Sequence, residues 1–375
     1  MSVINSPKHS TPVIKLNQPD DSYKFQPLPA PSGSYPYHLA LQDVVPPAGD
    51  QKMVFHMVGD TGSVRNPGFQ REVAEEMASQ YLNAQSPEDK PQFLYHLGDV
   101  VYHHGEADKY YTQFFEPYQN YPCPVFAIAG NHDTDINLEA TTPYHSLDAF
   151  KAVFCGTERE KVAFSGDSDW QNMVQPNIYW TLQTPLANII GLHSNVPKFG
   201  IVTPEQREWF IEELKAAGKE RPGKALIVCI HHSPYSADIN HGSSLAMISF
   251  LEDAFEQTGV RPDIVFSGHV HNYQRFSKRY ADGKLVPYIV AGSGGFDELH
   301  AIAATDDERF SSDSALFEGV NLEKYCDDRH GFLKITIEKT DAGLTLSGEY
   351  YSIPHKTGEI VEPATLDDKF SIAIA

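Results

Sequence analysis

The stretch MVFHMVGD, at residues 53–60, is an apolar run that ends in a glycine and an acid. Four later stretches follow the same plan, in which mostly apolar residues lead into a polar turn: residues 93–99, 125–133, 225–232 and 263–271. Apolar runs of this length, bounded by turn signals, are typical of strands buried on both faces of a sheet. The sequence therefore predicts five buried strands, each of which ends in polar residues.

Helices are predicted between these strands, at residues 69–83, 204–217 and 245–257. The second helix begins with a capping-box arrangement, in which Thr203 is the N-cap, Pro204 is the first helical residue and Gln206 is the third. Because strands and helices alternate along the chain, we expect an α/β sheet fold.

The two ends of the chain differ from this central pattern. Residues 1–50 are rich in proline and are predicted to be an extended lead-in, in which a strand-like run at residues 37–45 is expected to pair with the main body. Residues 51–375 are expected to form a single domain. Its C-terminal part, residues 332–337 and 344–350, is predicted to be an antiparallel hairpin.

The charge of the chain restricts its partners. There are 29 Lys and Arg residues against 50 Asp and Glu residues, which gives a formal net charge of −21 at pH 7. A field of this sign repels nucleic acid and anionic membranes, so neither is expected as a partner. A small anionic substrate would need a local positive charge, which a bound metal can supply.

The cellular compartment is predicted only as a default. The first ten residues contain no apolar segment typical of a signal peptide, and no stretch reaches 18 apolar residues. The four cysteines have no Cys-x-x-Cys spacing, and we expect reduced or buried thiols. We therefore expect a cytoplasmic protein by default, which leaves secretion open.

Polar residues with metal-ligand character follow all five predicted strands. They are Asp60, Asp99, Asn131 with His132, His231 with His232, and His269 with His271. Ligands of α/β sheets gather at the carboxyl ends of strands, so we expect these side chains to converge. Carboxylate and imidazole donors without thiolates suit zinc, manganese or iron. The sequence therefore predicts a metal site at this edge of the sheet.

These blocks resemble those of the calcineurin-like metallophosphoesterases, and more narrowly those of the purple acid phosphatases. The similarity extends over residues 53–297 and rests on five motifs: Asp60-Thr61-Gly62, Gly98-Asp99-Val100-Val101-Tyr102, Gly130-Asn131-His132-Asp133, Val228-Cys229-Ile230-His231 and Gly268-His269-Val270-His271. The resemblance implies a four-layer α/β/β/α sandwich with the metal site at the carboxyl ends of the strands.

The first motif distinguishes between branches of the superfamily. Most members have a histidine ligand where this chain has Gly62, whereas Tyr102 stands where the purple branch has its tyrosinate. The resemblance implies an Fe(III) site and a second, divalent site for iron, zinc or manganese, with Asp99 bridging the two. The implied ligands are Asp60, Asp99, Tyr102 and His271 for Fe(III), and Asp99, Asn131, His231 and His269 for the divalent ion. The alternative is that Tyr102 only packs in the core.

Several assignments have an alternative at this stage. The fourth motif selects His231 as the ligand, but a His-x-Pro pattern would select His232 instead. His132 is expected either to protonate the leaving alkoxide or to stabilise the transition state, while Asp133 either orients His132 or caps a turn. His241 lies where the family has a substrate-contacting histidine, although an exposed loop position is an equal alternative.

The predicted function follows from the two implied cations. Two adjacent metal ions would lower the pKa of a shared water and clamp the attacking and leaving oxygens of an in-line displacement. We expect a dinuclear hydrolase of small phosphate monoesters. The alternatives are a phosphodiesterase or nucleotide hydrolase of the same superfamily, or a non-catalytic metal-dependent binding protein.

Overall fold

The computed structural model describes residues 6–46, 49–354 and 363–375. The strands are β1 (Ile14–Lys15), β2 (His38–Ala40), β3 (Lys52–Val58), β4 (Leu94–His96), β5 (Val125–Ala127), β6 (Trp180–Gln183), β7 (Ala187–Leu192), β8 (Ala225–Ile230), β9 (Ile264–Ser267), β10 (Tyr273–Arg279), β11 (Leu285–Ala291), β12 (Phe310–Ser311), β13 (Val320–Cys326), β14 (Gly331–Thr340), β15 (Gly343–Ser352) and β16 (Thr365–Ala373). The α-helices are α1 (Gly68–Leu82), α2 (Asn131–Thr134), α3 (Asp148–Phe154), α4 (Pro204–Gly218) and α5 (Leu245–Thr258).

Most of the strands belong to two mixed sheets. The larger sheet has eight strands in the order β13-β10-β11-β9-β8-β7-β6-β2, and the smaller has six in the order β16-β15-β14-β3-β4-β5. Strands β3, β4 and β5 are parallel, as are β7, β8, β9 and β11. Each sheet therefore has a parallel centre, which brings the carboxyl ends of its central strands to one edge.

The two sheets pack face to face through aromatic side chains. Tyr95 of β4 stacks on Trp180 of β6 with ring centroids 6.1 Å apart, and Tyr273 of β10 stacks on Tyr350 of β15 at 3.9 Å. Helix α1 packs against the six-stranded sheet, while α4 lies against the eight-stranded sheet and against α5. The result is the four-layer α/β/β/α sandwich that we expected.

The five predicted buried strands are β3, β4, β5, β8 and β9, and the three predicted helices are α1, α4 and α5. Only half of the predicted capping box forms at α4. The Gln206 amide nitrogen of the backbone donates to Thr203 Oγ1 over 3.3 Å, as expected. The Gln206 side chain instead pairs with the backbone of His193, at 2.7 and 2.8 Å. Burial of Gln206 explains this, because a buried amide must find partners.

The lead-in forms less strand than the sequence predicts. Of the predicted run at residues 37–45, only His38–Ala40 forms a strand, which pairs in parallel with β6, because Leu41–Asp43 turn into a 3-10 helix. At the other end, β14 and β15 pair antiparallel and β16 adds a third strand beside β15. The division into residues 1–50 and 51–375 stays a prediction. Within the described part of the chain, no helix is both long and apolar enough to cross a membrane.

Candidate metal centre

Three of the predicted ligands have a left-handed backbone. Asp60, Asp99 and His269 have φ values of 57°, 55° and 68°. Residues other than glycine rarely adopt this conformation, which costs on the order of 1–3 kcal/mol at each position. Asp60 and Asp99 lie two and three residues beyond the ends of β3 and β4, and His269 lies two beyond β9. The loops at the strand ends therefore hold these side chains in an unfavourable but fixed conformation.

Two glycines allow the close approach of these loops. Gly98 has a φ of 98°, and a Cβ atom built there would lie 2.6 Å from Nδ1 of His231. A Cβ on Gly62 would lie 2.7 Å from both the carbonyl oxygen of Val100 and Oε1 of Gln113. This packing leaves no room for a histidine at position 62, so the first motif contributes Asp60 alone to the site.

One group of donor atoms surrounds Oδ1 of Asn131. Nε2 of His231 lies 3.1 Å from this oxygen, and Nδ1 of His269 lies 2.8 Å from it. Oδ2 of Asp99 is 3.3 Å from His231 Nε2. Asp99, His231 and His269 each present an atom within 4.8 Å of the other two, and all three are buried. These four side chains have the donor types and the spacing of a divalent-metal site.

The hydrogen bonds of His231 test whether a cation fits this group. Its Nδ1 lies 2.8 Å from the carbonyl oxygen of Leu97, which can only accept, so Nδ1 carries the proton. When the ring is neutral, Nε2 carries a lone pair and is itself an acceptor. It faces two other acceptors, Oδ1 of Asn131 and Oδ2 of Asp99. Three acceptors that converge in a buried place need a positive charge between them. The residues therefore fit a metal ion.

A second group of donor atoms lies around Oδ1 of Asp60. The phenol oxygen of Tyr102 lies 3.4 Å from Oδ1 of Asp60 and 3.2 Å from Nε2 of His271. The same Oδ1 is 3.7 Å from His271 Nε2. The second oxygen of Asp60 accepts a hydrogen bond from the backbone amide of His269 over 2.9 Å, which ties the two groups together. A carboxylate, a phenol and an imidazole thus meet in one buried place, and they also fit a metal ion.

Burial controls the charges at the centre. It raises the pKa of Asp60 and of Tyr102 well above their usual values, and the nearby charge of Asp99 adds to both shifts. Burial and neighbouring histidines hold the pKa of His269 and of His271 well below the usual range. Both imidazoles are therefore neutral with free lone pairs, which is the form that binds metals.

His231 behaves differently because it faces a carboxylate. Burial opposes its charge, but the carboxylates of Asp99 and Asp60 outweigh burial and raise its pKa to about 9. At Asp99, burial by itself would raise the pKa. The neighbouring His231 and His132 outweigh burial and hold the pKa of Asp99 far below its usual value. A proton on His231 thus balances Asp99 when no other cation is present.

Two predicted residues that have alternatives make different contacts from their neighbours. His231 points into the centre, whereas His232 Nδ1 lies 2.7 Å from Oγ of Ser194. In the described part of the chain Asp133 makes no hydrogen bond to the ring of His132, and its role stays a prediction. Its carboxylate instead accepts hydrogen bonds from the backbone amides of Gly130, Val100 and Val101, at 2.8–3.2 Å. Asp133 thus joins the loop after β4 to the loop after β5, because a buried carboxylate is stabilised by several donors.

His132 is fixed by a carbonyl group. Its Nδ1 lies 2.9 Å from the carbonyl oxygen of His103, which can only accept, so Nδ1 carries the proton. The backbone amide of His132 donates to Oδ1 of Asp99 over 2.9 Å. The ring lies 4.4 Å from that of Tyr102. His132 is therefore held at the edge of the centre.

His241 also lies against the centre rather than on an exposed loop. Its ring centroid is 4.1 Å from that of His269 and 6.2 Å from that of His271. Burial lowers its pKa to about 4. The structure thus brings all ten predicted site residues to one place, and their roles stay predictions.

Three residues that carry no motif also support the centre, namely Gln113, His300 and Asp238. Gln113 holds Tyr102 through two hydrogen bonds, from the Tyr102 amide to Oε1 at 2.8 Å and from Nε2 to the Tyr102 carbonyl at 2.9 Å. His300 stacks on His271 with centroids 4.5 Å apart, and its Nδ1 lies 3.4 Å from Oδ2 of Asp238. None belongs to a motif, although His300 follows the Gly-Ser-Gly-Gly turn at residues 292–295.

The sequence is similar to a known protein family. The sequence model of the calcineurin-like phosphoesterases matches residues 53–273, which is more than half of the chain. Purple acid phosphatase 1 of Ipomoea batatas is 26% identical over 278 residues, covering 67% of this chain and 52% of that protein. Purple acid phosphatase 15 of Arabidopsis thaliana is 28% identical over 204 residues, covering 53% of this chain and 34% of that protein. The chain thus spans about a third to a half of the length of these relatives.

Solved structures share the fold at low identity. GAP50, the anchor in the inner membrane complex of Plasmodium, superposes with a TM-score of 0.54 at 16% identity, over 87% of this chain and 90% of that one. PhoD superposes with a TM-score of 0.52 at 14% identity, over 92% of this chain and 72% of that one. These likenesses concern the fold alone. From its sequence match and its fold, the chain belongs to the calcineurin-like phosphoesterase family.

Proposed function

We propose that this protein hydrolyses phosphate monoesters at a dinuclear metal centre of the purple acid phosphatase type. One observation carries the proposal: the seven predicted donors meet in two adjacent groups. One group contains Asn131, His231 and His269 around Asn131 Oδ1, and the other contains Asp60, Tyr102 and His271 within 3.7 Å of one another. Asp99 lies 3.3 Å from His231, and its charge raises the pKa of Tyr102, which supports a role for Asp99 in both groups.

The donor types favour different ions in the two groups. A phenol whose pKa is raised by burial and by two carboxylates ionises only beside a strongly charged cation, which favours Fe(III) at Tyr102. The amide and two imidazoles of the other group suit a divalent iron, zinc or manganese ion. When bound, the two cations supply the positive charge that attracts phosphate and acidify a water molecule.

The remaining side chains would act on the substrate. His132, anchored at Nδ1, leaves Nε2 for the leaving-group oxygen, and His241 lies beside His269. A small phosphate ester is the proposed substrate, since a chain with a net charge of −21 repels nucleic acid and anionic membranes. The similarity to purple acid phosphatases supports a phosphatase reaction, and the preference for a monoester over a diester is part of the proposal.

The same fold occurs in proteins with other roles, so the function rests on the site and not on the fold. The test is to purify the full chain without chelators, to measure its metal content, and to assay p-nitrophenyl phosphate beside bis-p-nitrophenyl phosphate. We expect about two metal ions per chain and a faster rate with the monoester. A large excess for the diester would reverse the proposed specificity.

One substitution tests whether the centre carries the reaction. Asp99→Asn keeps the size of the side chain but removes the charge that lies between the two groups, and we expect both metal content and activity to fall, with a loss of activity of at least about a hundredfold. Asp169→Asn, at an exposed aspartate, is the matched control and should retain both. Full activity in Asp99→Asn would exclude the dinuclear mechanism.

A further inference from the structure

The loop that carries His241 is bounded by the N-terminal segment of the chain. This loop, residues 236–243, connects β8 to α5. The backbone of Val13 makes a hydrogen bond to each end of this loop. The Val13 amide donates to the carbonyl of Ser236 over 2.8 Å, and the Val13 carbonyl accepts from the amide of Ser243 over 2.7 Å. Val13 is fully buried and packs with Ala303 and Phe310. Both ends of the His241 loop are therefore fixed by one residue that lies more than 200 positions away in the sequence.

Two side chains of the same segment hold the tip of the loop. Nζ of Lys15 donates to the carbonyl oxygen of Asn240 over 2.6 Å, and Nε2 of Gln18 donates to the carbonyl oxygen of His241 over 3.0 Å. The next residue, Gly242, has a φ of 72°, and a Cβ there would lie 2.9 Å from the backbone nitrogen of Lys15. The segment thus touches the loop at the residue whose side chain faces the centre.

The other side of the loop rests on the centre itself. Oδ1 of the buried Asp238 accepts from the backbone amides of Asn240 and His241, each over 2.7 Å. Oδ2 of Asp238 lies 3.4 Å from Nδ1 of His300, whose ring stacks on His271. The loop is therefore held between the N-terminal segment and the side chains around the predicted ligands.

We propose that residues 13–18 are part of the active site, in which Lys15 and Gln18 are positioning residues for His241. They fix the two carbonyls at the loop tip, so that the imidazole of His241 stays over His269. The inference rests on the proposed function, in which His241 contacts the phosphate ester. Positioning of this kind matters because a small displacement of a substrate-contacting group lowers the rate strongly.

The test is the double variant Lys15→Met/Gln18→Met in the full chain, made both with His241 and with His241→Ala. Methionine keeps the aliphatic stems and removes the two donors. In the presence of His241, we expect kcat/KM for p-nitrophenyl phosphate to fall about tenfold, while metal content and Tm stay unchanged. In the His241→Ala background, the double variant should cause no further loss. Lys24→Met, at an exposed lysine of the same segment, is the matched control.

Two outcomes would overturn the proposal. If the double variant costs the same factor in both backgrounds, Lys15 and Gln18 do not act through His241. If it costs nothing in either, they do not position the loop. An independent readout is hydrogen exchange, which should accelerate at residues 238–243 of the double variant and stay unchanged in β8. If the unsubstituted protein hydrolyses no phosphate ester, the proposed function fails, while unchanged exchange at this loop would contradict the positioning role separately.

Discussion

The phenol oxygen of Tyr102 lies 3.2 Å from Nε2 of His271, and both groups face Oδ1 of Asp60. The pKa of the phenol is held well above its usual value by burial and by Asp99 and Asp60. In the protein alone Tyr102 is therefore a neutral phenol, and only a strongly charged ion at this place would make it a phenolate. The ionisation state of Tyr102 therefore depends on which metal ion is bound beside it.

Tyr102→Phe tests this link. We expect protein purified without chelators to show visible absorption from charge transfer between tyrosinate and iron, and the variant to lose this band because phenylalanine has no oxygen donor. The measurement is an absorption spectrum together with iron analysis. Tyr110→Phe, at another fully buried tyrosine, is the control and should keep the band. A colourless, iron-free protein with full activity would contradict the purple assignment and leave the phosphoesterase proposal standing.

His231→Gln and His232→Gln separate the two adjacent histidines. Since His231 Nε2 faces Asp99 and Asn131, its replacement should lower metal content by about one ion per chain and reduce activity by at least about a hundredfold. Replacement of His232, whose Nδ1 pairs with Ser194, should leave the metal content unchanged. Metal analysis and the monoester assay measure both effects. The opposite order of effects would make His232 the ligand.

Gln113→Leu tests the support of Tyr102. The substitution leaves the buried amide and carbonyl of Tyr102 without partners, so we expect the free energy of unfolding to fall by roughly 2–4 kcal/mol. The visible band of Tyr102 should also weaken or shift, because the ring is no longer fixed. Denaturant unfolding and the absorption spectrum measure the two effects, with Gln119→Leu at an exposed glutamine as the control. An unchanged band would show that Gln113 does not position Tyr102.

The pH dependence of stability tests the buried His56. Its neutral form is satisfied, since Nε2 donates to Gln80 over 3.2 Å and Nδ1 accepts from Tyr121 over 3.0 Å. Burial lowers its pKa to about 3, against about 6.5 in the unfolded chain. Between these two values the unfolded chain binds one more proton than the folded protein.

The stability that neutral His56 contributes is therefore complete above pH ~6.5 and is lost as the pH falls toward ~3, at no more than about 1.4 kcal/mol per pH unit. Denaturant unfolding between pH 7 and pH 4 should show a smaller pH dependence in His56→Gln than in the unsubstituted protein. His145→Gln, at an exposed histidine, should leave the dependence unchanged. Equal slopes in all three proteins would refute the contribution of His56.

The sequence by itself determined the buried strands and which candidate donor residues stand at their ends. The buried strands that precede Asp60, Asp99, Asn131, His231 and His269 were identified because short apolar runs bounded by glycine and polar residues have few alternatives to a buried strand. The ligand types followed from the residues at the ends of those runs. The signals are local, since each depends on residues that are neighbours in the chain.

The tertiary structure alone decided which partners hold each side chain. Three sets of contacts join segments that are distant or irregular in sequence: the hydrogen bond from His132 to the carbonyl of His103, the two hydrogen bonds between Gln113 and Tyr102, and the hydrogen bond from Gln18 to the carbonyl of His241. The role of Asp133 as a link between two loops also appeared only in the fold. Hydrogen bonds of this kind depend on where the backbone turns in space, and no periodic pattern of apolar and polar residues encodes that position.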